Sequence, residues 1–539
     1  MAGWWFVLFW TLAPSFASAG AIDLVKRAVL SDLSGGFCRS YRFGADIANN
    51  VLYMVGLDGG LLAHDGNASN NYLMTLDLTS SFTTSDGKNY KMTKIDTQIP
   101  KIKDMALWSN AENSTLFQYG GRFLENITSE DTIWTYTVKD QSWSKQDGTI
   151  QPLRLEYGVY TNAPAIQAGF WIGGYRGSGT TASITDSTKE YATGLIQLNT
   201  TTGQYTSLDG PYEAVEEGSL SYVPVGDRGI LVYIGGDVPS IKDGINATMS
   251  SNSWSHVQVY DIAGGKWYNQ STTGTVASRT QFCASVQHDE SSSSYQIYVL
   301  GGADLKSKDT ILDVNYLSIP SFKWYSAAPL DEPRMTLTCV SNGRQIFGIG
   351  GRRAWAEDGR AGCYYAPAFL YDAQSEATRL KFDPALSSFS LSSSTANDIK
   401  ASPSPSQWAD PALRNLFEKS KATTNTTVNN GTSSISEPQE VNTSDPVSKG
   451  AIAGGVVGGV AGLALIIGIL WFFIAGRKKQ KNSKLGEARA VNPQVQPMSE
   501  VPAGVRDGRS ELGGDTYMYS ELPAGNEREI SELNSERNK

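Results

Sequence analysis

Histidine is scarce in this chain, with three residues in 539, and cysteine is limited to four, none in a C-x-x-C pair. No H-E-x-x-H, P-loop or G-x-S-x-G pattern occurs. These absences exclude the motif-borne zinc, nucleoside-phosphate and acyl-transfer chemistries, each of which needs ligands, backbone amides or a nucleophile at a fixed spacing. An excess of basic charge is also missing: 45 Lys and Arg stand against 54 Asp and Glu, for a net charge of -9 and a pI near 5.1. Nucleic acid is therefore not an expected partner, because phosphate binding needs a basic surface to release counterions.

Glycine, in contrast, is plentiful at 54 residues, and part of it is periodic. A short β-prone apolar run ends in two adjacent glycines at Gly120-Gly121, Gly173-Gly174, Gly235-Gly236, Gly301-Gly302 and Gly350-Gly351, with a degraded copy at Gly56-Leu57. Steps of 49 to 66 residues separate the copies, the length of a four-stranded propeller blade with variable loops. Ser219 to Val225 reads as an inner strand, Ile230 to Ile234 as the second, His256 to Tyr260 as the third, and a fourth centres on Trp267. Trp143, Tyr205 and Trp324 hold the matching aromatic position after their own pairs.

The glycine pairs, the later aromatics, and Arg279 and Arg334 before the next blade resemble the kelch repeat over about residues 38 to 385. The resemblance implies an all-β kelch-type propeller of six blades, or seven if residues 24 to 36 add strands, with closure between the last blade and the first the least regular part. It also implies that the glycines and tryptophans are structural. The same propeller carries the copper radical oxidases resembling galactose oxidase, whose chemistry needs two histidines, tyrosinate and a cysteine cross-linked to tyrosine. His64, His256 and His288 fall on separate loops and strands, so no cofactor and no metal are expected and no catalytic residue is assigned. For a sialidase the repeated Asp-box is missing, and Ser85-Asp86-Gly87 reads as a hairpin turn.

Residues 1–19 read as a signal peptide, with an apolar core and Ala17-Ser18-Ala19 before the cut. Residues 20–385 form the propeller and 386–450 a Ser/Thr-rich glycosylated stalk, in which Leu413, Leu416 and Phe417 mark a short helix able to dock on the propeller. Residues 451–476 are an uncharged run of 26, about 39 Å as a helix, ample for a membrane core of about 30 Å. Arg477, Lys478, Lys479, Lys481 and Lys484 follow and hold residues 477–539 in the cytoplasm as a polar, disordered tail. The glycines of the span permit a dimer. Sequons at Asn67, Asn113, Asn126, Asn199, Asn246, Asn269, Asn425, Asn430 and Asn442 all precede the span. This layout resembles the single-pass kelch membrane proteins of filamentous fungi and implies a type I protein of the plasma membrane with an extracellular propeller; another secretory-pathway membrane is the alternative.

An oxidising compartment favours two disulfides among Cys38, Cys283, Cys339 and Cys363. Both Cys283 with Cys339 plus Cys38 with Cys363, and Cys339 with Cys363 plus Cys38 with Cys283, stay open. Loops joining second to third strands share a face with the blade linkers, and sequons at Asn67, Asn126 and Asn246 leave blades five and six bare on that face. The ligand-binding candidates there are Lys306, Lys308, Arg352, Arg353, Trp355, Glu357, Asp358, Arg360, Tyr364 and Tyr365. A tryptophan amid charges suits sugar stacking or a protein hot spot; the competing reading packs Trp355 under its own loop. The function expected is cell-surface recognition of a polysaccharide or a protein partner without turnover. The alternative is an extracellular carbohydrate-active enzyme using channel carboxylates.

Overall fold

The computed structural model divides the chain into two compact units, Met1–Ser433 and Ser434–Lys539. It describes residues 29–30, 33, 37, 43–56, 72–124, 133–146, 153–212, 214–242, 245–355, 364 and 366–418, all in the first unit. The expected signal peptide, span, tail and residues 419–450 of the stalk lie outside them, as do His64, Cys38, Cys363 and the sequon residues Asn67, Asn126, Asn425, Asn430 and Asn442. Among the described residues no helix is long and apolar enough to cross a membrane.

Six antiparallel four-stranded blades follow one another along the chain. Their inner strands are Gly44–Ala48, Ile102–Ser109, Val159–Ala163, Ser219–Val223, Cys283–Asp289 and Met335–Asn342. Each lies against the next, and the sixth against the first, so the ring is closed. Val29–Leu30 pairs with Lys91–Lys94 as a fifth strand on the outer edge of blade one; this described strand of the 24 to 36 segment widens a blade, and the described blades number six. Beyond the inner-strand ring, the ends are tied by Lys381–Phe382 pairing with Phe82–Thr83 and by the Phe82 and Phe382 rings, 5.1 Å apart.

Each sheet is sandwiched between neighbours, so second strands such as Ala168–Ile172 and Ile230–Ile234 are buried on both faces. That explains their unbroken run of β-branched and aromatic residues. Trp143, Trp267 and Trp324 sit in fourth strands, as their spacing predicts.

The glycine pair clamps one blade to the next. Gly121, Gly174, Gly236 and Gly302 donate their N–H groups to the carbonyls of Leu155, Val215, Arg279 and Arg334, at 2.8, 2.8, 3.3 and 2.8 Å. Aiming the N–H that way needs a left-handed backbone, φ +79° at Gly174 and +78° at Gly236. A Cβ there would strike the carbonyl of Glu156 or Glu216, so only glycine fits.

One boundary differs from expectation. Residues 386–418 begin no solvated stalk but pack against the propeller. The helix Ser393–Ala401 buries Ile399 and ties Asp398 to Lys323 at 2.7 Å and to the Tyr325 hydroxyl at 2.6 Å. A second helix over 411–418 buries Leu413, Leu416 and Phe417 with Val223, Val225 and Phe322 of blades four and five. Gln270 anchors its approach, donating to the Gln407 carbonyl and accepting from Ala409 N–H. The second helix is the docking element expected from Leu413, Leu416 and Phe417; serine-rich composition concealed the first, because few apolar side chains, correctly spaced, suffice to cover outer strand edges that would otherwise stay open.

Candidate functional site

The entry to each inner strand places side chains around one mouth of the central channel. Asp104, Tyr157, Glu217, Gln281 and Thr336 all adopt left-handed backbones, with φ between +55° and +61°. Glu217 donates its N–H to the Tyr157 carbonyl at 3.0 Å, Gln281 to Glu217 at 3.0 Å, and Thr336 to Gln281 at 2.7 Å. This run of hydrogen bonds passes from blade to blade and fixes the mouth. The residue before each of three ring members pairs with the loop that leaves its own blade: Glu156 with Tyr175, Glu216 with Asp237, Thr280 with Ala303. Blade linkers and second-to-third-strand loops thus share this face, as expected.

At blades three and four these positions carry acids. Glu156 is fully buried and paired with Arg122 at 3.3 Å; burial nonetheless outweighs the arginine and raises its pKa. Glu217 accepts from Gln281 Nε2 at 2.7 Å and Asp237 from Thr280 Oγ1 at 2.9 Å. Glu216 is 8% exposed and its Oε2 has no hydrogen-bond partner. Burial first, then repulsion from Glu217, pushes its pKa up to about 8. Beside these acids Tyr157 stacks on Tyr175 at 5.5 Å, Tyr191 meets Tyr175 edge-on at 5.4 Å, and the Lys189 ammonium lies 4.2 Å from the Tyr175 ring centre.

The channel holds a cavity of about 450 Å³, bounded near this mouth by Asp104, Gly158, Gly218 and Phe282 and near the other by Asp46, Ser109, Asn162 and Ser341. Asp46 accepts from Ser109 N–H and Asn162 Nδ2, both at 2.6 Å, while burial raises its pKa. Cys283 and Cys339 are joined by a disulfide on the channel wall between blades five and six. Cys283 begins its strand, whereas Cys339 is the fifth residue of its own. This bond matches the first of the two open pairings and overturns Cys339 with Cys363 plus Cys38 with Cys283; Cys38 and Cys363 lie outside the described residues.

The candidates of blades five and six come together on the same face but are engaged with one another. Lys308 Nζ lies 3.9 Å from the Trp355 ring centre, Arg353 pairs with Glu332 at 3.0 Å, and its carbonyl accepts from Thr310. Tyr364 is buried under the Arg334 guanidinium, 3.5 Å from the ring centre, and donates to the Pro333 carbonyl. Arg352 is buried, Trp355 half-buried and Lys306 exposed; Glu357, Asp358, Arg360 and Tyr365 lie outside the described residues. His256 meets Ser255 at 2.9 Å and His288 stacks on Tyr295. Among the described residues no group of three His, Cys, Asp or Glu could hold a metal ion.

The acidic entries escaped the sequence reading. Their signal was the recurrence Leu155-Glu156-Tyr157-Gly158 and Val215-Glu216-Glu217-Gly218 just before two inner strands. The closing glycine leaves room for Trp171 or Tyr233 of the second strand.

Closed ring, glycine clamps and repeated entries define a six-bladed propeller whose repeats resemble the kelch repeat. A curated relative from Arthroderma benhamiae, described as a kelch repeat-containing protein, is 29% identical over 362 residues, covering 58% of this chain and 53% of the relative. The chain therefore spans about half the length of the relative it matches. A solved structure described as "Structure of YjhT" aligns over 65% of this chain and 99% of that one, with 14% identity and a TM-score of 0.45. No family model matches the chain.

Proposed function

We propose that this chain is a single-pass cell-surface recognition protein whose propeller binds a protein partner at the linker-bearing mouth of its channel, without turnover. The observation that carries the reading is the ring of left-handed, non-glycine entries at that mouth. Side chains at such positions cost backbone strain of order 1–3 kcal/mol each, and here they converge on one opening. The kelch-type propeller supports an interaction role, and the exposed loops of blades three to five supply the surrounding rim. Polysaccharide is the second reading; it rests on half-buried Trp355 with Lys308 across its face, an arrangement suited to stacking.

A photo-crosslinking residue placed in full-length protein at exposed Ser187, in the blade-three loop, is expected to capture the partner. The same residue at exposed Thr202, in the turn between third and fourth strands on the opposite face, is expected to remain unlinked. Equal capture at both positions would overturn the assignment of the face. Retention on a cell-wall polysaccharide array that survives Ser187 modification and fails with Trp355→Ala would favour the second reading, and released sugar would overturn binding without turnover.

A further inference from the structure

We propose that the mouth between blades three and four receives the guanidinium or ammonium group of a basic segment in the protein partner, with Glu216 as its counter-charge. The proposal rests on the recognition reading above and adds the chemistry of the ligand.

Glu216 is the one acid of its cluster left without a hydrogen-bond partner among the described residues. Around it stand Glu217 from its own linker, Asp237 from the blade-four loop, Glu156 from the blade-three linker, and Lys189, Tyr175 and Tyr191 from the blade-three loop. Gln281, Thr280 and Arg122 engage Glu217, Asp237 and Glu156. Lys189 sits over Tyr175 and attracts Glu216 from there, a pull that burial and Glu217 outweigh. A second orphan lies nearby: the buried Tyr191 hydroxyl has no hydrogen-bond partner.

A buried acceptor and a hydroxyl left unmade cost free energy in the unliganded protein, and a ligand donor that satisfies them recovers it. A guanidinium brings five donors on a planar fork, and its apolar stem suits the faces of Tyr157, Tyr175 and Tyr191. One of those rings, Tyr175, already holds a cation, Lys189, at 4.2 Å, so this aromatic cluster suits an ammonium. A bare metal ion fits less well, since no ligand set is assembled among the described residues.

Binding and titration are linked. With its pKa held at about 8 by burial and by Glu217, Glu216 is mainly protonated at neutral pH, and an arriving cation must expel that proton. Roughly 0.9 proton is released per cation bound at pH 7. Apparent affinity scales with the ionised fraction, so it rises about 30-fold from pH 6.5 to pH 9.

The test titrates full-length protein with hexa-arginine, whose charge is constant over this range, by calorimetry in buffers of different ionisation enthalpy. Expected are proton release near that value for the wild type, and about 10-fold weaker binding with no release for Glu216→Gln, a neutral isostere of the protonated state. Lys189→Met, which removes the resident cation, is expected to bind several-fold tighter. No binding of hexa-arginine, or equal affinity and equal proton release in Glu216→Gln, overturns the proposal, as does an unchanged affinity in Lys189→Met. If hexa-glutamate binds instead while Ser187 still captures a partner, the cation falls and the recognition reading stands. If hexa-arginine binds with proton release but neither Ser187 nor Thr202 captures protein, the cation site stands and the protein-partner reading falls.

Discussion

The entries to blades three and four and those to blades five and six share one backbone and carry opposite chemistry. At the position that accepts the glycine-clamp hydrogen bond, blades three and four have Leu155 and Val215, each followed by glutamate; blades five and six have Arg279 and Arg334, followed by Thr280 and Met335. Arg279 donates to the carbonyls of Gly301 and Asp313, and Arg334 to those of Gly350 and Pro367. Both arginines are so buried that their pKa values fall to about 10. One pair of entries spends its charge on holding loops shut. The other keeps acids beside an opening, one of them without a hydrogen-bond partner. The comparison teaches that charge density in a loop says little about availability, since Arg279, Lys308, Arg334 and Arg353 of blades five and six are each partnered within the fold.

The largest effect should come from the staple on the shut side. The Cys283–Cys339 bond closes a loop of 56 residues, and chain entropy assigns such a loop about 4 kcal/mol. Cys283→Ser with Cys339→Ser is expected to lower the denaturant midpoint accordingly while leaving hexa-arginine binding intact. If binding falls with stability, the two sides are not independent and the comparison breaks. Arg334→Met comes next. It strips donors from two buried carbonyls and the cation from Tyr364, a loss of about 3 kcal/mol, again with binding unchanged in calorimetry.

Glu216→Gln should do the reverse, altering binding strongly and stability only with pH. Its folded pKa of about 8 lies above the ordinary 4.5, so between those values the folded state keeps a proton that the unfolded chain has released. Wild-type stability therefore declines as pH rises through that window and levels off above it. The glutamine variant should show a flatter profile and exceed the wild type at pH 9, read from urea midpoints at pH 5, 7 and 9. Parallel profiles would show that Glu216 is ionised in the folded state at all three pH values, and the open side of the comparison would lose its distinguishing group.

Much of the fold was legible because its demands are local. A clamp that only glycine can make leaves a paired glycine in every blade after the first, and a fourth strand packed on its neighbour leaves an aromatic. The docking helix showed through Leu413, Leu416 and Phe417 for the same reason. The site was less legible because burial of Glu156 and Glu216 depends on contacts made by the next blade, some sixty residues away, and an isolated Glu-x-Gly reads as an ordinary turn. Nor does any residue type announce that Tyr157 or Gln281 will adopt a left-handed backbone; the run of interblade hydrogen bonds imposes it. Composition misled at the helix Ser393–Ala401, where serine and threonine outnumber the few residues that pack.

The smallest effect is the sharpest test of the shut side. Trp355 is half-buried and meets the exposed Lys308 at 3.9 Å; a cation–π pair in such a place contributes about 0.5–1 kcal/mol. Trp355→Ala should therefore shift the denaturant midpoint by no more than that, and should leave hexa-arginine binding and Ser187 cross-linking at wild-type levels. Lys308→Ala should match it, since each substitution removes the same contact. If both instead abolish capture of the partner while stability holds, the Trp355 face is a hot spot whose worth lies in the complex and not in the fold. The arginine-locked side would then be the recognition surface, rigid because it binds, and the acids of blades three and four would have to be explained as a local cost of that rigidity.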